Sequence, residues 1–397
     1  MAVPPVPYRD RHFTTRPPDS PWNVGFREHS ARVRRILGIV LAVLLLGGVA
    51  VVLVAGGEQD KGTATKTVRG VIGSEKSEFF TDPDVVKALD ARGLTVATET
   101  SGSWDMEQLP LKGYDFAFPS SKGPADELRA AAADKALAAP LRPFYSPLVV
   151  VAHSDAARVL AGNGLATLNA RGTSGILRMD AYLAAVRADR TWQQLKGADR
   201  HAELSGTLFI TSTDPVASNS GALYLAAASY VADGGRVADG KEAVGRTAPL
   251  LRKLTQVQGA QQTNSDAPFR DFVSGVGNPL VLVYESQVSS QLIADRPMGD
   301  LVVLYPDTTV NSDHTLVPLT EGGRELGRLL AEDPELRRLA VRHGFRPQGA
   351  SPEFAEAAGK HGQYLNQTLT GVRQAPVPTG AVLRDMARRA RDQGDTA

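Results

Sequence analysis

The chain has 397 residues, enough for two or three structural units, with 44 basic against 43 acidic residues and a net charge of +1. A balance that close offers no global field for nucleic acid, and nucleic acid is not an expected partner. The absence of cysteine excludes disulfides, thiolate metal sites, iron–sulfur ligation, a cysteine nucleophile and a lipid-modified cysteine, and the seven scattered histidines form no pair at helical metal-binding spacing, so no metal or cofactor is expected.

Residues 1–35 are rich in Pro and Arg (VPPVPYRD, TTRPPDSP), lack any helical or strand period and read as a disordered cytoplasmic tail. The run Ile36–Gly57, ILGIVLAVLLLGGVAVVLVAGG, is uncharged, and at about 1.5 Å per residue it is long enough for a hydrocarbon core of about 30 Å. It is expected to be a transmembrane helix; a cleavable signal peptide is the alternative, but its apolar part would be shorter and nearer the N-terminus. Arg27, Arg32, Arg34 and Arg35 precede the run and Glu58, Asp60 and Lys61 follow it, which places the N-terminus in the cytoplasm and everything beyond a linker at 58–66 outside. The expectation is a single-pass protein of the cell membrane with an extracytoplasmic C-terminal domain.

Beyond the linker, short aliphatic runs alternate with helical patterns, the sequence form of an α/β fold. VRGVIGS reads as a strand, DPDVVKALDARG as a helix, and LTVATET and YDFAFPSS as strands that end, like the first, in small hydroxyl residues. In open α/β sheets the carboxyl ends of strands line the ligand crevice. SPLVVVAHSD is continuously aliphatic, as expected of a strand buried on both faces. AYLAAVRADRTWQQLKG reads as a helix stopping at Gly197, and GTLFITSTDP as a strand running into an Ala-rich helix. A helix around APLLRKLTQVQ, the segment DAPFRDFVSGVG, and the strands NPLVLVYESQ and GDLVVLYPDTTV follow; ELGRLLAEDPELRRLAVRHGFRPQG reads as two helices broken at Asp333-Pro334. TGAVLRDMARRARDQ is a basic amphipathic helix, expected to pack on the first lobe through Val382, Leu383 and Met386.

The order of these motifs resembles the bacterial extracellular solute-binding proteins of the type 2 periplasmic-binding fold. GSEKSEFF looks like the family's first ligand loop, FAFPSS like the second, and FYSPLVVVAHSD like the crossover strand into the second lobe. ITSTDPVASNSGALYL resembles the strand, loop and helix that close over ligand, and LVLVYESQ a later strand facing the cleft; VVLYPDTTV is similar to the return strand and LAEDPELRRLAVRHGFRP to the closing helix pair. The resemblance covers roughly residues 67–350 and implies a two-lobed α/β fold with discontinuous lobes: 67–146 with 304–370 as lobe 1, 147–303 as lobe 2, and 371–397 as a tail. It implies capture of a small polar solute or oxyanion between the lobes, in the service of a transporter or a signalling membrane protein. The apparent retained anchor departs from the family's usual cleaved or lipidated form, and it keeps open an interaction or sensory module that has lost solute binding.

The candidate ligand contacts of lobe 1 are Ser74, Glu75, Lys76, Ser101, Ser103, Ser120 and Ser121; those of lobe 2 are Thr213, Asp214, Ser218, Asn219, Ser220, Tyr284 and Glu285. Hydroxyls at a helix start join free backbone N–H groups and the positive end of the helix dipole, which suits an anion or an oxygen-rich ligand. Glu75, Asp214 and Glu285 would repel an anion unless turned away or paired, so a cation stays open. For any single loop the alternative is capping, since Ser, Asp and Asn are the preferred N-cap residues. Trp104 either walls the cleft or packs in the core. No nucleophile elbow, phosphate-binding loop or His pair is present, so catalysis is not expected, although a serine hydrolase built from scattered residues is a possible form.

Overall fold

The computed structural model describes residues 65–132, 139–349 and 352–391, all within one unit, Thr63–Ala397. The run Ile36–Gly57, its leader and the linker as far as residue 64 lie outside the described residues. Among the described residues no helix is long and apolar enough to cross a membrane.

Strand β1 (Lys66–Ile72) passes through a single 3-10 turn, Ser74–Lys76, into α1 (Ser77–Thr81) and α2 (Pro83–Asp90). GSEKSEFF is therefore turn and helix rather than an open loop, because Phe79 and Phe80 draw it onto the core. Asp82 caps α2, accepting from the Asp84 N–H, with Pro83 in the first turn. β2 (Leu94–Thr100), β3 (Phe116–Phe118), α3 (Lys122–Ala131) and β4 (Leu141–His153) follow. Then come α4 (Ser154–Gly162), β5 (Ala166–Leu168), β6 (Ser174–Leu177) and α5 (Met179–Arg187). The helix expected to reach Gly197 ends at Arg187: Asp189 takes a left-handed φ of 50° and Trp192–Gln194 forms a separate 3-10 turn.

GTLFITST, expected as a strand, makes one parallel bridge, Thr211 to Val281, in which the Thr211 N–H donates to the Leu280 carbonyl at 2.9 Å and the Leu282 N–H to the Thr211 carbonyl at 2.8 Å. It leads into α6 (Asn219–Ala232), α7 (Lys241–Gln256), α8 (Asp266–Val273), β7 (Leu280–Tyr284), α9 (Glu285–Ile293), β8 (Leu301–Pro306), β9 (Thr308–Thr309) and β10 (Asn311–Pro318). The chain ends with α10 (Glu321–Glu332), α11 (Pro334–Arg342), β11 (Arg346–Pro347), α12 (Pro352–Gly359), β12 (Arg373–Gln374) and α13 (Gly380–Arg391). The break at Asp333-Pro334 is as the sequence reads: the Asp333 carboxylate accepts from the Glu335 and Leu336 N–H groups.

The main sheet has the order β2-β1-β3-β10-β4-β8-β6-β5, with β7 and β11 also on β4. β4 belongs to both lobes. Its first part, Leu141–Pro147, pairs antiparallel with β10, and Phe144 and Tyr145 also pair with β11; from Leu148 onward it pairs with β7 and β8. The two faces of that second part are buried in different cores: Leu148, Val150 and Ala152 in one, Val149 and Val151 in the other. The first lobe is built on an aromatic core in which the Phe144 and Phe345 rings stack with centroids 4.4 Å apart.

β8 still pairs with β6 through Pro306, so the return crossing lies at 307–310 rather than at the expected 304. The C-terminal segments also change lobes. Phe354 of α12 and Leu365 are buried with Val149, Val281 and Val303, and Val382, Met386 and Ala390 of α13 enter the second-lobe core against α6 and α7. The amphipathic face expected on lobe 1 thus seats mainly on lobe 2, because α6 and α7 offer it the matching apolar surface.

Candidate functional site

Two polar regions lie between the lobes, and they differ in whether their groups are already paired. The first is sealed. The Glu75 carboxylate and the Lys76 ammonium form an ion pair in which Lys76 is 0% exposed and the Glu75 side chain 4%. Lys76 Nζ lies 3.4 Å from Ser120 Oγ, 3.2 Å from His314 Nδ1 and 4.9 Å from the centre of the Phe118 ring. Ser120 Oγ donates to Glu75 Oε1 at 2.6 Å, and Ser103 Oγ accepts from the Ser120 N–H at 3.0 Å.

Burial pushes the Glu75 carboxyl up, but Lys76 and His314 outweigh it and hold the group below the ordinary carboxylate range. Burial pushes the Lys76 ammonium down against the attraction of Glu75. Burial, and then the charge of Lys76, push the His314 imidazole down to about 4, so the ring is neutral at pH 7. Its Nε2 is buried without a hydrogen-bond partner. Lys76 is neither a solvated charge nor, in this arrangement, a group a solute can reach.

The sealed region continues across the lobes. Ser121 Oγ donates to Asn219 Oδ1, Asn219 Nδ2 donates to Tyr284 Oη at 3.1 Å and to Ser312 Oγ at 3.2 Å, and Ser312 Oγ donates to the Ser120 carbonyl. Asn219 at the start of α6 thus joins Tyr284 of the second lobe to Ser121 and Ser312 of the first. Beside it the Trp104 N–H donates to the Ala217 carbonyl at 3.3 Å, so the backbones of the two lobes meet directly. Gly102 permits this approach, since a Cβ there would fall 2.7 Å from that carbonyl oxygen. Trp104 is buried in the seam with Ala222, Ala226 and Leu383, which answers the choice between wall and core: it packs between lobes.

Within TSTDPVASNSG three hydroxyls satisfy one another. Thr213 and Ser220 hydroxyls lie 2.7 Å apart and Ser218 and Ser220 hydroxyls 3.2 Å, while Asp214 accepts from the Val216 N–H and pairs with Arg391. Ser218 occupies the N-cap position of α6 but makes no side-chain cap bond. Ser101 donates to its neighbour's carbonyl at 3.3 Å. Glu285 faces the C-terminal segment, accepting from Arg346 at 2.6 and 2.9 Å and from Tyr305 at 2.5 Å. Of the fourteen candidate residues, Ser74 and Glu75 line an open space; Lys76, Ser103, Ser120, Ser121, Asn219 and Tyr284 close the seam behind it.

The second region is that open space, a cavity of about 600 Å³ walled by Ser74, Glu75, Ser77, Glu78 and Thr100 of the first lobe and by Asn264, Asp266, Phe269, Arg270, Gln287 and Met298 of the second. Asp266 accepts from Gln287 Nε2 at 2.9 Å, and the Ser74 hydroxyl across the cleft favours its ionised form. Burial, and then the charge of Glu75, push its carboxyl up. Arg270 is exposed and makes no ion pair among the described residues. Sequence reading missed Asp266 and Arg270, which DAPFRDFVSGVG carries on α8, and Gln287, which stands in the first turn of α9. It also missed His314, a lone His inside a strand.

A groove of similar volume, about 610 Å³, runs among Asp180, Tyr230, Asp307 and Arg373, but none of the candidate residues reaches it. At the surface, His201 Nδ1 lies 3.0 Å from Asp155 and 3.5 Å from Glu203, and Asp155 is also held by Arg158; none of these residues lines the cavity.

No protein-family model matches the chain, and no curated protein matches it. Solved structures do. The sulfate-binding protein SubI from Mycobacterium tuberculosis aligns at 18% identity with a TM-score of 0.52, covering 81% of this chain and 96% of that one. A periplasmic thiamin binding protein aligns at 12% identity and 0.53, covering 84% and 98%. Iron-bound HitA from Pseudomonas aeruginosa aligns at 10% and 0.52, covering 82% and 99%. The first of these neighbours binds sulfate, the second is a periplasmic thiamin binder and the third holds iron, and the chain shares their two-lobed α/β fold. Their three ligands differ in size and charge, so the fold does not name a ligand for this chain.

Proposed function

We propose that this chain is a solute-binding protein that captures a small polar solute in the cavity between its lobes, held outside the membrane by the run Ile36–Gly57 and serving transport or sensing. The observation that carries the reading is the cavity itself: about 600 Å³ lined from both lobes by hydroxyl, amide and charged side chains, on the fold of solute-binding proteins. Contacts from both lobes are what closure around a ligand requires. With Glu75 paired to Lys76, Glu78 and Asp266 against the single Arg270 favour a neutral or cationic solute over an oxyanion, because desolvating an anion beside carboxylates is unfavourable.

The test is a thermal-shift screen of the full chain in detergent against oxyanions, metal cations, organic amines, amino acids and sugars, repeated with Asp266→Asn. One class that raises the melting temperature through mass action, with the shift lost in the variant, is the expected result. Stabilisation by oxyanions alone would overturn the charge argument. The sealed network of Asn219 favours a second reading, a module that has given up solute binding, and a screen with no shift in any class is its signature.

A further inference from the structure

Helix α13 touches both lobes. Val382, Met386 and Ala390, spaced by four residues, anchor it in the second-lobe core, and Arg252 of α7 donates to the Arg389 carbonyl at 3.2 Å. The neighbouring face meets the first lobe. Leu383 is buried with Trp104, Arg384 pairs with Glu107 at 2.5 Å, and the Arg384 guanidinium lies 4.9 Å from the centre of the Trp104 ring. None of these residues lines the cavity.

Charge gives the arrangement its purpose. Asp105 of the first lobe, beside Glu107, lies close to Asp214 of the second, and burial followed by the charge of Asp214 pushes the Asp105 carboxyl up. Without α13 the lobes would meet here acid to acid. Arg384 answers the first-lobe acids and Arg391 pairs with Asp214, so one helix neutralises both sides of the seam. The contact is also incomplete: the Trp104 indole N–H and Arg384 Nε are buried without partners, groups that water would satisfy once the lobes part.

We propose that α13 is a strap, fixed to the second lobe and clasping the first through Trp104 and Glu107, and that lobe opening proceeds by release of that clasp. The effect on solute exchange rests on the solute-binding reading; the opening itself does not.

The chain has no cysteine, so Val86→Cys on the first lobe and Val276→Cys on the second, 39% and 61% exposed, place two spin labels on the full chain without further changes. Pulsed dipolar measurement of the labelled parent is expected to give one dominant distance. Arg384→Ala, which removes a partly exposed ion pair and leaves the second-lobe anchor intact, and Leu383→Ala with Arg384→Ala should each add a longer distance, with roughly tenfold more of the open population in the double variant. High salt should shift the parent the same way. Arg384→Lys, which keeps charge but loses the flat stacking group, should fall between. An unchanged distance distribution in both alanine variants overturns the strap. If the distances respond while no solute class binds the parent, the solute-binding reading fails and the strap stands.

Discussion

The sealed seam and the open cavity are made of the same kinds of residue, sit between the same two lobes and adjoin at Glu75, yet they do opposite things. In the seam the network's donors have acceptors on the same chain: Lys76 has Glu75, Ser121 has Asn219, and Ser312 has the Ser120 carbonyl. In the cavity Arg270 has no ion-pair partner among the described residues, and the Asp266 carboxylate accepts from the neutral Gln287 amide. The difference teaches that polar richness at strand ends does not mark a ligand site; unsatisfied polarity does. Seam groups contribute to stability and cavity groups are available to a solute, so substitutions should separate the two.

The largest separation is expected from Lys76→Met, which leaves Glu75 buried without its counter-charge and should cost about 3–5 kcal/mol in denaturant unfolding, much of it recovered by adding Glu75→Leu. A double variant no more stable than the single one would break the claim that the pair is structural. Next is pH. His314 ordinarily titrates at 6.5 and is held at about 4 in the fold, so between those values the unfolded chain takes up a proton that the folded chain refuses. Stability should therefore fall by on the order of 3 kcal/mol as pH drops from about 6.5 to about 4, then cease to change on this account. Glu75, held below its usual range, adds a loss only at still lower pH. His314→Phe should flatten the upper slope in melts taken across that window.

Asn219→Ala strips partners from Ser121, Tyr284 and Ser312 and should cost about 1–3 kcal/mol. The smallest effect on stability, within about 0.5 kcal/mol, belongs to the exposed Arg270→Ala. If the cavity binds a neutral solute through the Arg270 guanidinium, that same variant should weaken affinity at least roughly tenfold by calorimetry, whereas for a cationic solute it should strengthen it; either change inverts the seam pattern. A variant that lowers melting temperature and leaves affinity intact would move Arg270 from the site to the scaffold.

Much of the fold was legible because it depends on local signals. The aliphatic run of β4 and the Asp333-Pro334 break follow from neighbours in sequence. The site was only half legible because its pairings are distant: Ser121 and Asn219 are 98 residues apart and Lys76 and His314 238. No pattern within TSTDPVASNSG tells that its hydroxyls bond one another. The periodicity of α13 announced a buried face, but the surface that receives it lies on α6 and α7, so the choice of lobe was invisible. Asp266 and Arg270 were passed over since a helix carrying two charges is ordinary until a cavity opens beside it.

The single strand β4 has one more consequence. It is continuous from Leu141 to His153 and hydrogen-bonded within both lobes, and Pro147, which has no N–H to donate, stands where its partners change from β10 to β7. A shared strand cannot slip its register in one lobe without doing so in the other. The two bodies are therefore unable to slide past each other; they can only turn about that strand, as two plates riveted to one torsion bar with its thinnest section at Pro147.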